Sequence, residues 1–364
     1  MDKIRVELAE RAYTIYVGEG LIERAGELLP PDRRERAAII TDANVAPLYA
    51  GAVSGCLRGA GLEVSQAEIE PGERSKNFKK ARELLGFLVD RGLTRADIVV
   101  ALGGGVVGDL AGFVASVYKR GIGLLQVPTT LMSQVDSAIG GKTGVNLTVG
   151  KNLVGTFYQP LAVVSDVEAL STVPDREFSS GLAEIAKYSF LDPGRWREPM
   201  EHTASALKER DTAALTAAVA RCSTMKSEIV SLDEYDTGIR AVLNYGHTMG
   251  HALEAASGYG EAYTHGEAVS VGMVYAALVG ERTGTSPAGL AARHRALLSS
   301  LGLPVSPGAP APGFDDLLDA MGHDKKNLGD LTMVLLEGEG HPVVMRGLDE
   351  GDLRRCYEDI VEGV

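Results

Sequence analysis

The sequence predicts an α/β fold: an open-sheet domain over residues 1–174, followed by a mainly α-helical domain over residues 175–364. Three observations predict it. In the first half, β-branched and aliphatic runs alternate with runs of helical period, the pattern of a sheet whose strands are joined by helices. After about Thr172 the alternation stops, and long Ala- and Gly-rich segments of helical period follow one another. At 364 residues the chain exceeds an ordinary single domain, and its 45% hydrophobic content suffices for two cores.

The elements follow in order. MDKIRVELAERAYTIYVG alternates charged and apolar residues and reads as two strands, without the apolar core of a signal peptide. RAAIIT and VSQAEIE read as strands. KNFKKARELLGFLVDRG has apolar residues near a 3.6 period and closes on Gly92, as a helix should. ADIVVAL is a strand, DLAGFVASVYKR a helix, and GIGLLQVP a strand ending at Pro128. In the second half FSSGLAEIAKYSFL, DTAALTAAVARCSTMKSEIVSL, GHTMGHALEAAS and HGEAVSVGMVYAALVGERTG read as helices, and LTMVLLEGEGHPVVMRG as a late hairpin. The crevice between two such domains is the expected active site.

Composition narrows the function. No run of 18 apolar residues exists to span a membrane. A net charge of −13 argues against nucleic acid and anionic membrane as partners. Cys56, Cys222 and Cys356 are too few and too scattered for a disulfide framework or a cysteine metal cluster, which points to a cytoplasmic protein. One segment opposes the acidic trend. Between Leu110 and Pro160 stand Lys119, Arg120, Lys142 and Lys151 against one acid, Asp136, which suggests a local pocket for an anion.

Three motifs carry chemistry. VVALGGGVVGD sets Gly103, Gly104 and Gly105 between a strand and a helix, where backbone can approach a ligand and the helix N-terminus can meet a phosphate. The order differs from the G-x-G-x-x-G fingerprint, and a tight structural turn would use the same glycines. Asp109, early in that helix, suits the helix dipole. PTTLMSQVDSAIGGKTGVN and VGKNLVGTFYQP crowd Thr129, Thr130, Asp136, Lys142, Asn146, Lys151 and Asn152 into loop-like sequence. GHTMGH places His247 and His251 four apart on one helix face, as two histidines gripping one metal would be, yet Thr248 stands where H-E-x-x-H has its general base. GLAEIAKY alone reads as a surface pairing of Glu184 and Lys187 on an amphipathic helix. Beside GHTMGH and YTHGEAV, one Glu and two His suffice for a catalytic zinc with an open position. The pattern leaves open which of the two spaced histidines binds. His202, His294, His323 and His341 lie in polar or loop sequence and read as surface residues.

With TDANV, PGERSK, RAVLNYGHTMGHALE and DKKN, these motifs resemble the 3-dehydroquinate synthases of the sugar phosphate cyclase superfamily, over nearly the whole chain. The resemblance implies a Rossmann-like NAD-binding domain followed by a helical metal- and substrate-binding domain. It implies NAD, zinc or cobalt, and a homodimer. It makes Glu184, His247 and His265 the metal ligands and puts His251 near the phosphate leaving group. The NAD side becomes Asp42, Glu73, Lys76, Gly104, Gly105, Asp109, Thr129 and Thr130, with Lys142 and Lys151 shared. The substrate side becomes Arg120, Lys142, Lys151, Asn152, Lys187, Lys226, Arg240, Asn244 and His251, with Lys325 or Lys326 from DKKN, and Asp136 sits between the two sets. The implied substrate is a small sugar acid phosphate, 3-deoxy-D-arabino-heptulosonate 7-phosphate. It is oxidised by NAD, loses phosphate, is re-reduced and closes by an intramolecular aldol. A metal that polarises substrate oxygens needs no general base beside His247, which accounts for Thr248. The rivals are another cyclase, such as an aminodehydroquinate synthase, and a metal-dependent polyol dehydrogenase, which has no use for a lysine- and arginine-rich phosphate site.

Overall fold

The computed structural model describes residues 1–9, 11–31, 34–148, 150–196, 200–258, 262–323 and 331–363. They form two units, Met1–Val173 with Leu215–Tyr235, and Pro174–Ala214 with Asp236–Val364.

The first unit is built on a seven-stranded sheet. Its strands are β1 (Asp2–Val6), β2 (Tyr13–Gly18), β3 (Arg36–Asp42), β4 (Glu63–Ile69), β5 (Ile98–Gly103), β6 (Gly123–Pro128) and β9 (Ala162–Asp166). β7 (Lys142–Leu147) and β8 (Gly150–Phe157) form a separate hairpin. The spatial order is β1-β2-β9-β6-β5-β3-β4, parallel except for the β1–β2 pair. Strand side chains alternate between faces. Ile39, Val100 and Val127 pack on α1 (Gly51–Gly59) through Val53 and Leu57. Ile40, Val99 and Leu124 pack on α2 (Phe78–Asp90) and α3 (Gly105–Val117) through Leu84, Leu88 and Val114. Both faces are covered, so the central strand β5, IVVALG, is apolar throughout. The chain leaves β3 for β4 on one side and returns to β5 on the other. Ligands of open α/β sheets bind outside the carboxyl ends at such a reversal. Asp42 ends β3 and Gly103 ends β5, so both lie there.

Two local expectations change. The helix expected from Asp109 starts at Gly105, because the last glycine of the turn already adopts helical backbone, with Gly104 as N-cap. Asp109 therefore lies beyond that turn and is no N-terminal acid. The loop-like stretch after Gly141 is the β7–β8 hairpin, with Val145 fully buried; its glycines and asparagines mask the alternation.

The second unit contains α4 (Asp175–Leu191), α5 (Met200–Lys208), the start of α6 (Thr212–Leu232), α7 (His247–Ala256), α8 (His265–Thr283), α9 (Leu290–Ser300), α10 (Phe314–His323), the hairpin β10 (Thr332–Leu336) and β11 (Pro342–Arg346), and α11 (Glu350–Glu362). The remainder of α6 groups with the first unit, which a single boundary at 174/175 does not describe. Ser231 accepts from the Glu7 N–H at 3.1 Å and Tyr235 meets the Phe157 ring edge-on at 5.5 Å. Helix α8 is central and packs against α4, α7, α9, α11 and β10. Two of these crossings tolerate no side chain. A Cβ on Gly272 would lie 1.9 Å from the Gly246 carbonyl oxygen, and one on Gly266 would lie 2.0 Å from the Ser180 carbonyl oxygen.

His294, expected at the surface, is fully buried on α9. Its helix face packs inward, and both ring nitrogens are hydrogen-bonded, Nδ1 to the Leu290 carbonyl at 2.9 Å and Nε2 to the Tyr245 hydroxyl at 2.8 Å. Its ring stacks on Phe190 at 3.6 Å. Burial pushes its pKa down to about 3. His202 and His341 are exposed as expected. Among the described residues no helix is long and apolar enough to cross a membrane.

Gly272→Ala should cost about 3 kcal/mol or more, because backbone must move to admit the methyl group. Gly86→Ala, at an exposed position of α2 with nothing within 4 Å of the new Cβ, should instead gain about 0.5–1 kcal/mol. Urea unfolding of both variants tests the contrast, and equal losses would contradict it. His294 sets a pH dependence. Below its ordinary value of 6.5 the unfolded chain takes up a proton that the folded chain refuses down to about 3. Its contribution is therefore present above pH 6.5 and lost as pH falls toward 3, at about 1.4 kcal/mol per unit of pKa separation. The stability of His294→Gln should fall less steeply across that range.

Candidate active site

In the first unit, Lys76 organises one network. The side chain is 5% exposed, and its ammonium donates to Asp109 Oδ2 at 2.5 Å and to Asn152 Oδ1 at 2.6 Å. Glu73 lies 4.0 Å from the same ammonium and accepts from Asn146 Nδ2 at 2.7 Å, while Asn146 Oδ1 accepts from the Asn152 N–H at 2.9 Å. Burial raises the Asp109 carboxyl and the Lys76 charge opposes it. Asn152 holds a left-handed backbone, φ 56°, which asparagine tolerates better than most residues. Four residues expected on the ligand side from separate motifs thus meet in one group. Asn146, which joins them, was visible only as part of the polar crowding.

The glycine turn lies at the start of α3. Its N-cap, Gly104, supplies no side-chain cap, so the first N–H groups of the helix keep their capacity for an anion. A Cβ on Gly104 would lie 3.1 Å from Thr130 Cγ2, and one on Gly105 3.0 Å from Ser137 Oγ. Thr129 and Thr41 are buried near the strand ends, and among the described residues neither hydroxyl has a hydrogen-bond partner. Asp42 Oδ1 accepts from the N–H groups of Asn44 at 2.8 Å and Val45 at 3.1 Å, which holds its own turn. Asp136 accepts from Lys226 through Oδ1 at 2.6 Å and through its carbonyl at 2.7 Å.

The basic excess between Leu110 and Pro160 is divided between a helix end and a hairpin. Lys119 and Arg120 follow the C-terminal end of α3, while the glycine turn is at its N-terminal end, about 20 Å away along a 13-residue helix. Lys142 and Lys151 stand at opposite ends of the β7–β8 hairpin, since Lys142 pairs with Phe157 and Lys151 is next to the turn. The hairpin and the helix thus set these four residues at separate places in the first unit, and closeness in sequence alone does not gather them. Arg120 is therefore not brought to the Lys76 group. Lys325 and Lys326 lie outside the described residues.

In the second unit, three ligand-type residues converge. Glu184 is fully buried in the middle of α4. His247 and His265 are the first residues of α7 and α8. Glu184 Oε1 lies 3.5 Å from His247 Nε2 and 3.8 Å from His265 Nε2. These are too long for hydrogen bonds, and among the described residues Glu184 Oε1 has no hydrogen-bond partner. Lys187 Nζ forms an ion pair with Oε2. The second nitrogen of each ring is oriented. His247 Nδ1 donates to the Tyr245 carbonyl at 3.1 Å and His265 Nδ1 to Glu254 Oε2 at 3.0 Å, leaving both Nε2 lone pairs toward Glu184. Burial, the Lys187 charge and the two neighbouring histidines hold the His247 pKa well below 6.5, against the pull of its bond to Tyr245. It stays in the neutral form that a metal needs.

The start of α8 is fixed by local chemistry. Thr264 accepts from the Glu267 N–H and Glu267 accepts from the Thr264 N–H, a reciprocal cap that T-H-G-E spells out in sequence. Arg176 grips Glu267 through two bonds, at 2.9 and 2.8 Å. His251 is exposed one turn after His247, with ring centroids 5.4 Å apart. Arg240 is 3% exposed on the short turn Ile239–Asn244, and Asn244 is exposed at its end. Nothing in the sequence marked Glu254 or the Tyr245 carbonyl as partners of the ligands.

The chain matches the 3-dehydroquinate synthase N-terminal family profile over residues 66–180 and the C-terminal profile over residues 181–327. It is 45% identical over 357 residues to the 3-dehydroquinate synthase of Caulobacter vibrioides, covering 96% of both chains. It belongs to the 3-dehydroquinate synthase family. Among solved structures, 2-deoxy-scyllo-inosose synthase complexed with carbaglucose-6-phosphate, NAD+ and Co2+ superposes with a TM-score of 0.89 at 29% identity, covering 100% of both chains. A 2-epi-5-epi-valiolone synthase from Streptomyces hygroscopicus with NAD+ and Zn2+ bound has a TM-score of 0.88 at 26% identity, covering 98% of this chain and 99% of its own.

This family member's own residues fit both groups. Two imidazole nitrogens and one carboxylate oxygen at 3.5–3.8 Å are spaced for a shared cation with bonds of about 2 Å to each, a borderline-to-hard set that suits zinc or cobalt. An uncapped helix start with orphaned threonine hydroxyls fits the phosphates and hydroxyls of a dinucleotide. His247→Ala should lower Co2+ affinity by at least about 100-fold, measured by chelator competition. His251→Ala should retain binding. Equal loss in the two variants would reassign the ligand pair.

Proposed function

We propose that this chain catalyses the conversion of 3-deoxy-D-arabino-heptulosonate 7-phosphate to 3-dehydroquinate and phosphate. The observation that carries this reading is the buried Glu184 carboxylate facing His247 and His265, in a unit that also buries the cations Lys187 and Arg240. When bound, NAD would supply a reversible hydride acceptor and the divalent cation a Lewis acid, with Glu184, His247 and His265 as its ligands.

The remaining tasks fall to the chain. Three protein ligands leave an open position for substrate oxygens. Lys187 and Arg240 provide charge-assisted hydrogen bonds to the substrate's anionic groups, and Asn244 adds a neutral donor. His251, exposed beside the ligands, is placed to hold a proton at the leaving phosphate. In the first unit the Lys76–Asp109–Asn152 network, with Glu73, Asp42 and the turn at Gly104 and Gly105, orients the dinucleotide. Lys142, Lys151, Lys226 and Asp136 complete the substrate and cofactor contacts. Because its donor groups are held by one another beforehand, little reorganisation is needed on binding. A homodimer and a cytoplasmic location belong to the same reading. A polyol dehydrogenase would hold a neutral substrate and would gain nothing from buried cations beside the ligands.

Substrate and products of the proposed reaction are at the same overall oxidation level, so bound NAD would not be consumed. With substrate in large excess, phosphate release should run far past the NAD supplied while free NADH absorbance stays near baseline. Both signals can be followed in one cuvette. Stoichiometric NADH growth without phosphate would overturn the reading in favour of a dehydrogenase.

A further inference from the structure

His294 is a fully buried imidazole outside the ligand group, and it touches two of the elements that build that group. Its ring stacks on Phe190 at 3.6 Å with an 11° interplanar angle, and Phe190 belongs to α4, the helix that carries Glu184 and Lys187. Its Nε2 lies 2.8 Å from the hydroxyl of Tyr245, the residue whose carbonyl receives His247 Nδ1 at 3.1 Å.

The hydrogen-bond directions are determined. A carbonyl can only accept, so the Leu290 oxygen at 2.9 Å obliges His294 Nδ1 to carry the proton. The neutral ring then has only an acceptor at Nε2, and the Tyr245 hydroxyl must donate to it. The Met273 carbonyl, 3.4 Å from the same hydroxyl, is the longer alternative. Tyr245 is itself fully buried, so its ring has no solvent to turn toward. The next residue, Gly246, has φ +79° and a Cβ position only 2.6 Å from Met273 Cγ, so the peptide following Tyr245 is confined as well.

We infer that His294 is a positioning residue for the metal ligand His247, acting through the Tyr245 hydroxyl and carbonyl. His294 anchors the tyrosine ring, the anchored ring fixes the direction of the Tyr245 carbonyl, and that carbonyl holds the proton on His247 Nδ1. His247 Nε2 is thereby kept as the lone-pair donor facing Glu184. The inference rests on the metal-site reading above and extends it to a residue that touches neither metal nor substrate. A core histidine that merely fills space would have no such effect on the ligand.

The test uses full-length protein with Co2+ as the probe, with affinity read by chelator competition and geometry by the visible d–d spectrum. Tyr245→Phe deletes only the hydroxyl, so it should fold and lower Co2+ affinity by about 10-fold with a changed spectrum, as loss of an outer hydrogen-bond partner does. His294→Met, of similar length but without an acceptor nitrogen, should do the same. His294→Gln offers Oε1 near the position of Nε2 and should restore affinity and spectrum toward wild type. The pair Tyr245→Phe with His294→Met should lose no more affinity than either change alone. Unchanged affinity and spectrum in Tyr245→Phe, whatever happens to its melting temperature, would overturn the inference while leaving the metal site standing. Wild-type protein that binds no Co2+ would overturn the metal site and the inference with it.

Discussion

The chemistry of the second unit depends on how closely α4 and α7 approach α8. Backbone meets backbone at both crossings, Gly266 against Ser180 and Gly272 against Gly246, and at Gly250 a Cβ would lie 3.2 Å from the Val269 backbone. Side chains normally keep helix axes 8–10 Å apart. Removing them lets three ligands on three helices reach one point. Glu184 is fixed by its place in the middle of α4, while His247 and His265 open their helices, where a turn can aim the ring. An added methyl group at either crossing, 1.9–2.0 Å from a carbonyl oxygen, would force the helices apart by about 1 Å or more, a sizeable fraction of the 3.5–3.8 Å spacing of the ligand atoms. Packing and chemistry are therefore a single constraint here.

That arrangement is costly without a cation. A fully buried carboxylate has lost its water, and the Lys187 ion pair on Oε2 leaves Oε1 facing two imidazoles that point lone pairs at it. A pair of apolar residues in place of Glu184 and Lys187 would serve stability at least as well. The contrast with His294 is informative, since that buried histidine has both nitrogens satisfied. The first unit shows the satisfied pattern too. Lys76, Asp109, Asn152, Asn146 and Glu73 account for one another, which makes a rigid platform from loop, helix and hairpin. Of these buried charged groups, the one left with an unsatisfied oxygen, Glu184, is the one whose ligand type and spacing call for a metal.

Much of this was legible in sequence because the determining signals are local. Apolar strand runs, the Gly92 stop of α2 and the helical period of α4, α7 and α8 are read within a dozen residues. The metal group was legible by motif, since GLAEIAKY, GHTMGH and YTHGEAV each contribute one ligand. What failed was non-local. His294 sits among Ala, Arg and Leu in a segment of low mean hydropathy, and only the packing of α9 shows that its face turns inward. The division of α6 between units depends on contacts with Glu7 and Phe157, far away in the chain. The basic excess near Lys142 was legible as composition, but not that it is divided between a helix end and the two ends of a hairpin.

The distribution of charge bears on the choice between synthase and dehydrogenase. The protein as a whole carries −13, which repels anions at long range. Around the ligands the balance reverses. Glu184 supplies one negative charge that Lys187, 1% exposed, already pairs, so a divalent cation would leave net positive charge there, and Arg240, 3% exposed, is a further buried cation of the same unit. A neutral polyol would leave that excess uncompensated in a poorly solvated place. A sugar acid phosphate brings two anionic groups, and it loses one of them as phosphate during the reaction. The excess then holds the leaving group at the moment its charge develops, where a fixed cation in low dielectric contributes most. Buried cations so used make elimination, and not simple oxidation, the chemistry that the site stabilises.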